Sequence, residues 1–319
     1  MSEAPTSDPV IRTSGLRKVF RSPGQRAVVA VDGLDLTVAA GTVHGFLGPN
    51  GSGKTTTIRL LLGLARPTAG SIELFGQRVP AHLSAVVDRL GATVEEPAFT
   101  PGFTGRRNLM LLARTAGLPR RRVDEVLEQV GLRRHDRRRF GRYSLGMKQR
   151  LALAAALLRS PDLLILDEPG NGLDPAGVRD LRELVRSLAD GGTTVLLSSH
   201  NLAEVQQICD DVSILSGGRL LATGPVDALI GERLSRTRVR VGEPDRAAEV
   251  LRAAGYEVSH DADALLVGGH EHPEDVTRIL AGHDLFVGEL SAVRPDLESY
   301  FLQLTGHPMT GTDEDGGNR

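Results

Sequence analysis

Residues Gly48–Thr55 read GPNGSGKT, and the segments on either side decide what that stretch is. Before it, TVHGFLG (Thr42–Gly48) is short and mostly apolar, which predicts a strand. After it, KTTTIRLLLGLA (Lys54–Ala65) predicts a helix ending before Pro67. A strand, a loop of Gly, four residues, Gly-Lys-Thr, and a helix together form a phosphate-binding turn. Gly48, Gly51 and Gly53 let backbone amides turn inward around an anion, because no Cβ blocks the approach and positive φ is allowed. Pro49, Asn50 and Ser52 complete the loop, Lys54 would reach β- and γ-phosphates, and Thr55, followed by Thr56, offers a hydroxyl to Mg²⁺ at the positive end of the helix. The plain alternative is a glycine-rich turn that binds nothing.

A second element lies over a hundred residues on, where LLILDEP places four apolar residues before Asp167 and Glu168. A buried strand would deliver both carboxylates at its carboxyl end, where ligands sit in open α/β sheets. Adjacent carboxylates can divide the labour: Asp167 would hold Mg²⁺, usually through water, while Glu168 would polarise the water attacking the γ-phosphorus. Alternatively, the pair only begins a loop after a core strand.

The rest of the chain bounds these readings. At 319 residues it can hold a large domain and a small one. Lys and Arg number 38 against 40 for Asp and Glu, a net charge of −2, so no general attraction to nucleic acid or to an anionic membrane is expected. One cysteine, Cys209, excludes an intramolecular disulfide and suits a reducing compartment. The N-terminal MSEAPTSDPV lacks the blocks of a signal peptide, and the longest apolar runs fall far short of the ~20 residues that cross a bilayer. If the chain works at a membrane, another chain supplies the span.

Alternating apolar strands and amphipathic helices predict an α/β fold with a largely parallel, mixed sheet. An arginine-rich helical pattern interrupts it, giving a helical subdomain at about 104–160. Near Gly231 the texture changes again, to strand, helix, two strands, a helix near Thr277 and a strand near Leu285. The expected organisation is therefore a flexible N-terminus over 1–9, a nucleotide-binding domain over 10–230, an accessory α+β domain over 235–306 and a disordered tail over 307–319.

Between these landmarks stands YSLGMKQR (Tyr143–Arg150), and GLDP (Gly172–Pro175) and SSH (Ser198–His200) follow LLILDEP. This ordered set resembles the ATP-binding-cassette (ABC) ATPases, a P-loop NTPase family whose signature is commonly written LSGGQ-x-QR. Ser144, Gly146, Gln149 and Arg150 match it, and Leu145 and Met147 stand where glycine and glutamine are usual. The resemblance covers about Val10 to Ile230. It implies that the signature, Ser144 to Met147, binds in trans the γ-phosphate of an ATP held by the phosphate loop of a second copy. Two copies would then close head to tail around two ATP molecules with Mg²⁺. It also implies that Phe20 stacks on adenine, that Asp174 contacts the opposite protomer, that His200 senses the γ-phosphate, and that a separate membrane permease is the partner at the cytoplasmic face of the membrane. The plain alternatives are that Phe20 is a core residue and His200 a helix-cap residue before NLAEVQQI.

One departure concerns the hinge of the helical subdomain, TVEEPAFTPGFTGRRNL, where Glu95 stands in place of the family's glutamine. A carboxylate there could ligate Mg²⁺ but adds negative charge beside the γ-phosphate. EEP, SLGMKQR and the closing LESYFLQLTG, with Leu297, Tyr300, Phe301 and Leu304 at helical spacing, resemble the branch that powers bacterial multidrug and antibiotic exporters, including bacitracin- and daunorubicin-type resistance ATPases. The competing readings are a soluble cassette ATPase of translation or DNA repair, and a regulatory nucleotide-binding module. The first generally carries two cassettes, long coiled-coil insertions or zinc cysteines, and the second would lack the base Glu168. The arginines of 106–142 read as a solvated face, and GGHEH (Gly268–His272) as a polar loop.

Overall fold

The computed structural model describes residues 8–24, 26–94, 99–231, 236–269, 272–293 and 296–305. They separate into two compact units, with the break after Pro225.

The first unit opens with an antiparallel sheet. Strand β1 (Ile11–Phe20) pairs with β2 (Val28–Leu34), with the short β3 (Thr37–Val38) and, beyond the strand β4 (Val43–Leu47) and helix α1 (Lys54–Leu61), with β5 (Ala69–Leu74), which carries β6 (Gln77–Val79) on its outer side. β4 starts a second sheet, joined by β7 (Leu90–Thr93). Helices α2 (Gly105–Thr115), α3 (Arg120–Gln129) and α4 (Leu145–Ala156) then form the helical insert. The chain returns through β8 (Leu163–Asp167), α5 (Pro175–Asp190), β9 (Thr194–Ser199), α6 (Leu202–Ile208), β10 (Asp211–Ser216) and β11 (Arg219–Pro225). The order is β11-β10-β4-β9-β8-β7, parallel throughout except for the antiparallel edge β11.

β4 and β9 are buried at every position, as strands covered on both faces must be, and this is why they read as continuous apolar runs. Phe46, Ile58, Leu61, Ile165 and Leu196 share one core with Leu16, Val31, Leu34 and Ile72 of the antiparallel sheet. Within β4, His44 is 2% exposed; its Nε2 lies 2.9 Å from the Ser213 hydroxyl, and burial lowers its pKa to about 4. Cys209 is also buried, which pushes its thiol pKa well up and leaves it unreactive.

Most arginines of the helical insert are exposed, as the sequence predicts, but Arg106 and Arg122 are partly buried and several make fixed contacts. Arg106 joins Asp124 and Asp136, Arg133 pairs with Asp124, and Arg122 donates to the carbonyls of Leu157 and Leu158 at the end of α4. Fixed carboxylates and an exposed helix end attract the cations that charge counting alone assigns to water.

The second unit begins with α7 (Val226–Gly231). It continues through β12 (Arg236–Val241), α8 (Pro244–Ala253), β13 (Glu257–Asp261), β14 (Ala264–Gly268), α9 (Pro273–Ala281) and β15 (Val287–Val293), and closes with α10 (Leu297–Thr305). The four strands form an antiparallel sheet in the order β13-β14-β12-β15. Both crossover helices pack on one face: Ala247, Ala248 and Leu251 of α8 and Val276 and Leu280 of α9 meet Val239, Val241, Leu265 and Val267. This is the split β-α-β-β-α-β arrangement of ferredoxin-like domains. α10 packs on α7 and buries Leu297 and Phe301, whereas Leu304 in its last turn stays 40% exposed. Among the described residues no helix is long and apolar enough to cross a membrane.

Candidate nucleotide site

The parallel register places the motifs at one edge. Leu47 of β4 pairs with Ser199 of β9, and Asp167 of β8 pairs with Ser198, so the three strands end together in the order β4-β9-β8. The phosphate loop, His200 and the two carboxylates leave from those adjacent ends, although the loop is separated from the others by more than a hundred residues along the chain.

The loop is held by backbone. Gly53, at φ 102°, is the N-cap of α1, and a Cβ there would stand 2.3 Å from the Ala30 carbonyl oxygen of β2. A Cβ on Gly48 would meet the Leu215 carbonyl oxygen at 2.5 Å. Close backbone approach therefore demands glycine at both positions. The Ser52 amide donates to the Pro49 carbonyl, the Gly218 amide to the Ser52 carbonyl and the Thr57 amide to the Gly53 carbonyl. The Ser52 hydroxyl is buried with no hydrogen-bond partner among the described residues, a polar group that a phosphate oxygen would satisfy.

Lys54 is only 5% exposed. Its Nζ donates to the Gly48 carbonyl at 2.6 Å and the Pro49 carbonyl at 3.3 Å, and it lies 3.2 Å from Glu168 Oε1. The other oxygen, Glu168 Oε2, is 2.8 Å from His200 Nδ1. Glu168 thus stands between an ammonium and an imidazole, with a backbone φ of 48° that non-glycine residues seldom adopt. Ser198, whose role the sequence leaves unread, organises both carboxylates: its hydroxyl donates to Asp167 Oδ1 at 2.5 Å and accepts from the Glu168 amide at 2.9 Å. Its signal is the SSH triplet, whose two serines close a buried strand.

Thr55, Asp167 and Glu168 line one cleft of about 920 Å³, which continues along α4 past Leu145 and Gly146. A hydroxyl and a carboxylate suit Mg²⁺, which keeps several waters and takes one or two protein oxygens besides those of its nucleotide. This donor set fits the ion; among the described residues no cluster of three His, Cys, Asp or Glu side chains offers a dedicated metal cage.

The remaining expected residues lie as follows. Ser144 is the N-cap of α4 and its hydroxyl accepts from the Met147 amide at 3.3 Å. Asp174 is the N-cap of α5, accepting from the Gly177 amide at 2.9 Å, so it has a structural task within its own chain. Phe20 is 46% exposed, with Lys18 Nζ 4.9 Å from its ring centre; it pairs with Val28 on β2, the strand whose Ala30 backs Gly53. Pro49, Asn50, Gly51 and Thr56 sit in the loop and first turn. Glu95, and His270 and Glu271 of GGHEH, lie outside the described residues.

Comparison with known proteins agrees with this geometry. A family model described as ABC transporter matches residues 31–171, and a domain of unknown function matches 235–298. The chain is 38% identical over 308 residues to the bacitracin transport ATP-binding protein BcrA of Bacillus licheniformis, covering 95% of this chain and 99% of that protein. It is 38% identical over 321 residues to the daunorubicin/doxorubicin resistance ATP-binding protein DrrA of Streptomyces peucetius, covering 97% and 95%. A solved ATP binding subunit of an ABC transporter matches with a TM-score of 0.61 at 30% identity, over 70% of this chain and 92% of that one. Relatives that align through both units, nearly end to end, make the chain a member of the ABC transporter family, as one of its ATP-binding, ATP-hydrolysing subunits.

Proposed function

We propose that two copies of this chain close head to tail around two ATP molecules and transmit that motion to a separate membrane-spanning permease, at the cytoplasmic face of the membrane, which exports an antibiotic or similar drug-like molecule. The export reading rests on relatives whose names refer to bacitracin transport and daunorubicin resistance. The reading of hydrolysis is carried by Glu168, held between Lys54 and His200 at the end of β8.

In this reading Lys54 exchanges the Gly48 and Pro49 carbonyls and Glu168 for β- and γ-phosphate oxygens, and Ser52 and the amides of Gly51 and Gly53 complete the cradle. Glu168, released from the ammonium, accepts a proton from the attacking water as its oxygen bonds the γ-phosphorus and the β–γ bridging bond breaks. His200 holds the carboxylate through Nδ1 and faces the γ-phosphate through its other edge. Thr55 and Asp167 would hold Mg²⁺, which neutralises charge on the β- and γ-oxygens, with Ser198 fixing the Asp167 rotamer. Phe20 offers its exposed ring to adenine. Ser144 and Gly146, at the start of α4, present a hydroxyl and amides to the partner's γ-phosphate, and Asp174 meets the partner beside them. Glu95, at the position where the resembled pattern has a metal-contacting glutamine, would add a carboxylate to the charge balance of the metal.

Replacing Glu168 by Gln tests the assignment. Base removal should cut hydrolysis by roughly 10²–10⁴-fold while Mg·ATP holds a long-lived dimer on sizing chromatography. Hydrolysis at the wild-type rate would remove Glu168 from the base role.

A further inference from the structure

The loop that follows Glu168 does more than connect β8 to α5. It turns tightly, the Asn171 amide donating to the Glu168 carbonyl and the Leu173 amide to the Gly170 carbonyl, and it ends at Asp174. The first turn of α4 is fastened to this loop at successive points. Leu145 lies over Gly172, so close that a Cβ on Gly172 would stand 2.4 Å from Leu145 Cδ2. Leu173 sits under Gly146, its Cδ2 3.2 Å from where a Cβ would be. Gln149 Nε2 donates to the Asn171 carbonyl at 2.6 Å. Gly172 has φ 72°, a turn that glycine makes freely.

Leu145 occupies a position where the resembled signature carries glycine, and its side chain fills the space that Gly172 leaves open. A loose signature would let the Ser144 hydroxyl and Gly146 amide move independently of the loop bearing the carboxylate. Here a leucine wedge joins them. We infer that Leu145 is a positioning residue: packed on Gly172, it sets the orientation of the signature turn relative to the Glu168–Asp174 loop, so that the γ-phosphate-facing turn and the hydrolytic loop shift as one body. Gly146 and Gln149 make the neighbouring contacts, and Leu145 supplies the side-chain contact that a glycine could not make. This rests on the reading of Glu168 as base and of the signature as a γ-phosphate contact.

The test uses ATP hydrolysis by the full-length chain. Misplacing a catalytic group lowers turnover more than ground-state binding, so Leu145→Gly should reduce kcat by roughly tenfold or more while KM for ATP moves less than about twofold. Leu145→Met, of similar volume, should recover kcat to within about twofold. Gly172→Ala puts a methyl into the wedge and should be slow; Leu145→Gly added to it opens that space and should make the double variant faster than Gly172→Ala alone. Because both chains in the comparison carry the Gly172→Ala substitution, its backbone strain cancels, and kcat per folded molecule, with the folded fraction read from thermal melts, keeps relief of the clash in folding apart from relief in turnover. The inference fails if Leu145→Gly retains the wild-type kcat, if it lowers kcat and Leu145→Met does not recover it, or if the double variant is no faster than Gly172→Ala. Glu168→Gln separates the layers: if it hydrolyses normally the underlying reading fails, and if it is inactive while Leu145→Gly is silent only the role of Leu145 fails.

Discussion

The parallel sheet of the first unit and the sheet of the second unit put their loops in different places. In the first unit the strands β10, β4, β9, β8 and β7 run parallel, so every carboxyl end lies on one side and residues as distant as Lys54, Glu168 and His200 arrive within hydrogen-bond or ion-pair reach of one another. In the second unit neighbouring strands alternate in direction, so the carboxyl ends of β12 and β13 lie at one end of the sheet and those of β14 and β15 at the other. Burial differs in the same way. β4 and β9 are covered on both faces, whereas β12 alternates, with Val239 and Val241 turned to the helices and Arg238 and Arg240 paired with Asp261, Asp263 and Glu289 on the other face. Parallel topology gathers chemistry at one edge; the antiparallel unit distributes its polar groups over a face and contains none of the nucleotide motifs.

If that division is real, damage to the second core should leave nucleotide binding alone. Leu251 is fully buried there, and Leu251→Ala should destabilise the second unit by about 2–5 kcal/mol. ATP affinity should stay within about twofold. A fall in ATP affinity parallel to the loss of stability would break the comparison.

Acid should separate the units as well. The His44 pKa is about 4 in the folded chain against an ordinary 6.5, so the unfolded chain binds the extra proton. The stability due to a neutral His44 is complete above about pH 6.5 and is lost as pH falls toward 4, amounting to about 3 kcal/mol. Among the described residues the second unit buries no histidine. Denaturant titrations at pH 7 and pH 4.5 should show the first unit losing more, and His44→Gln should flatten that slope if the replacement packs.

Within the first unit, Lys54→Ala removes the ammonium that now bridges the loop carbonyls and Glu168, and ATP affinity should drop by more than about tenfold, or ~1.4 kcal/mol. Titration with a fluorescent nucleotide checks this. The smallest expected effect is at Asp174, where loss of the α5 cap in Asp174→Ala should cost about 1 kcal/mol of stability. Asp174→Asn keeps a capping oxygen; if it holds stability but loosens the ATP-bound dimer, the residue has an intermolecular role beyond its cap.

How much was legible follows the range of the interactions. The phosphate loop could be read because its causes are local: Gly53 needs its φ of 102°, α1 starts at Lys54, and flanking apolar runs set the strand and helix. The second unit's alternation of strand and helix was also readable, because binary patterning follows local burial. Ser198 was visible only as part of a triplet, since its bonds to Asp167 and to the Glu168 amide depend on β8 and β9 being neighbours.

By itself, then, the sequence determined the main strands and helices and the phosphate-loop turn, through backbone conformations and side-chain chemistry that act over a few residues. Only the tertiary structure decided that β9 lies between β4 and β8 and so brings His200 to Glu168, that the first sheet is antiparallel and lends Ala30 to Gly53, and that Leu145 rests on Gly172. Those outcomes depend on strand order and on contacts between segments far apart in the chain, which are settled by packing of the whole core and leave no periodic trace along the residues that make them.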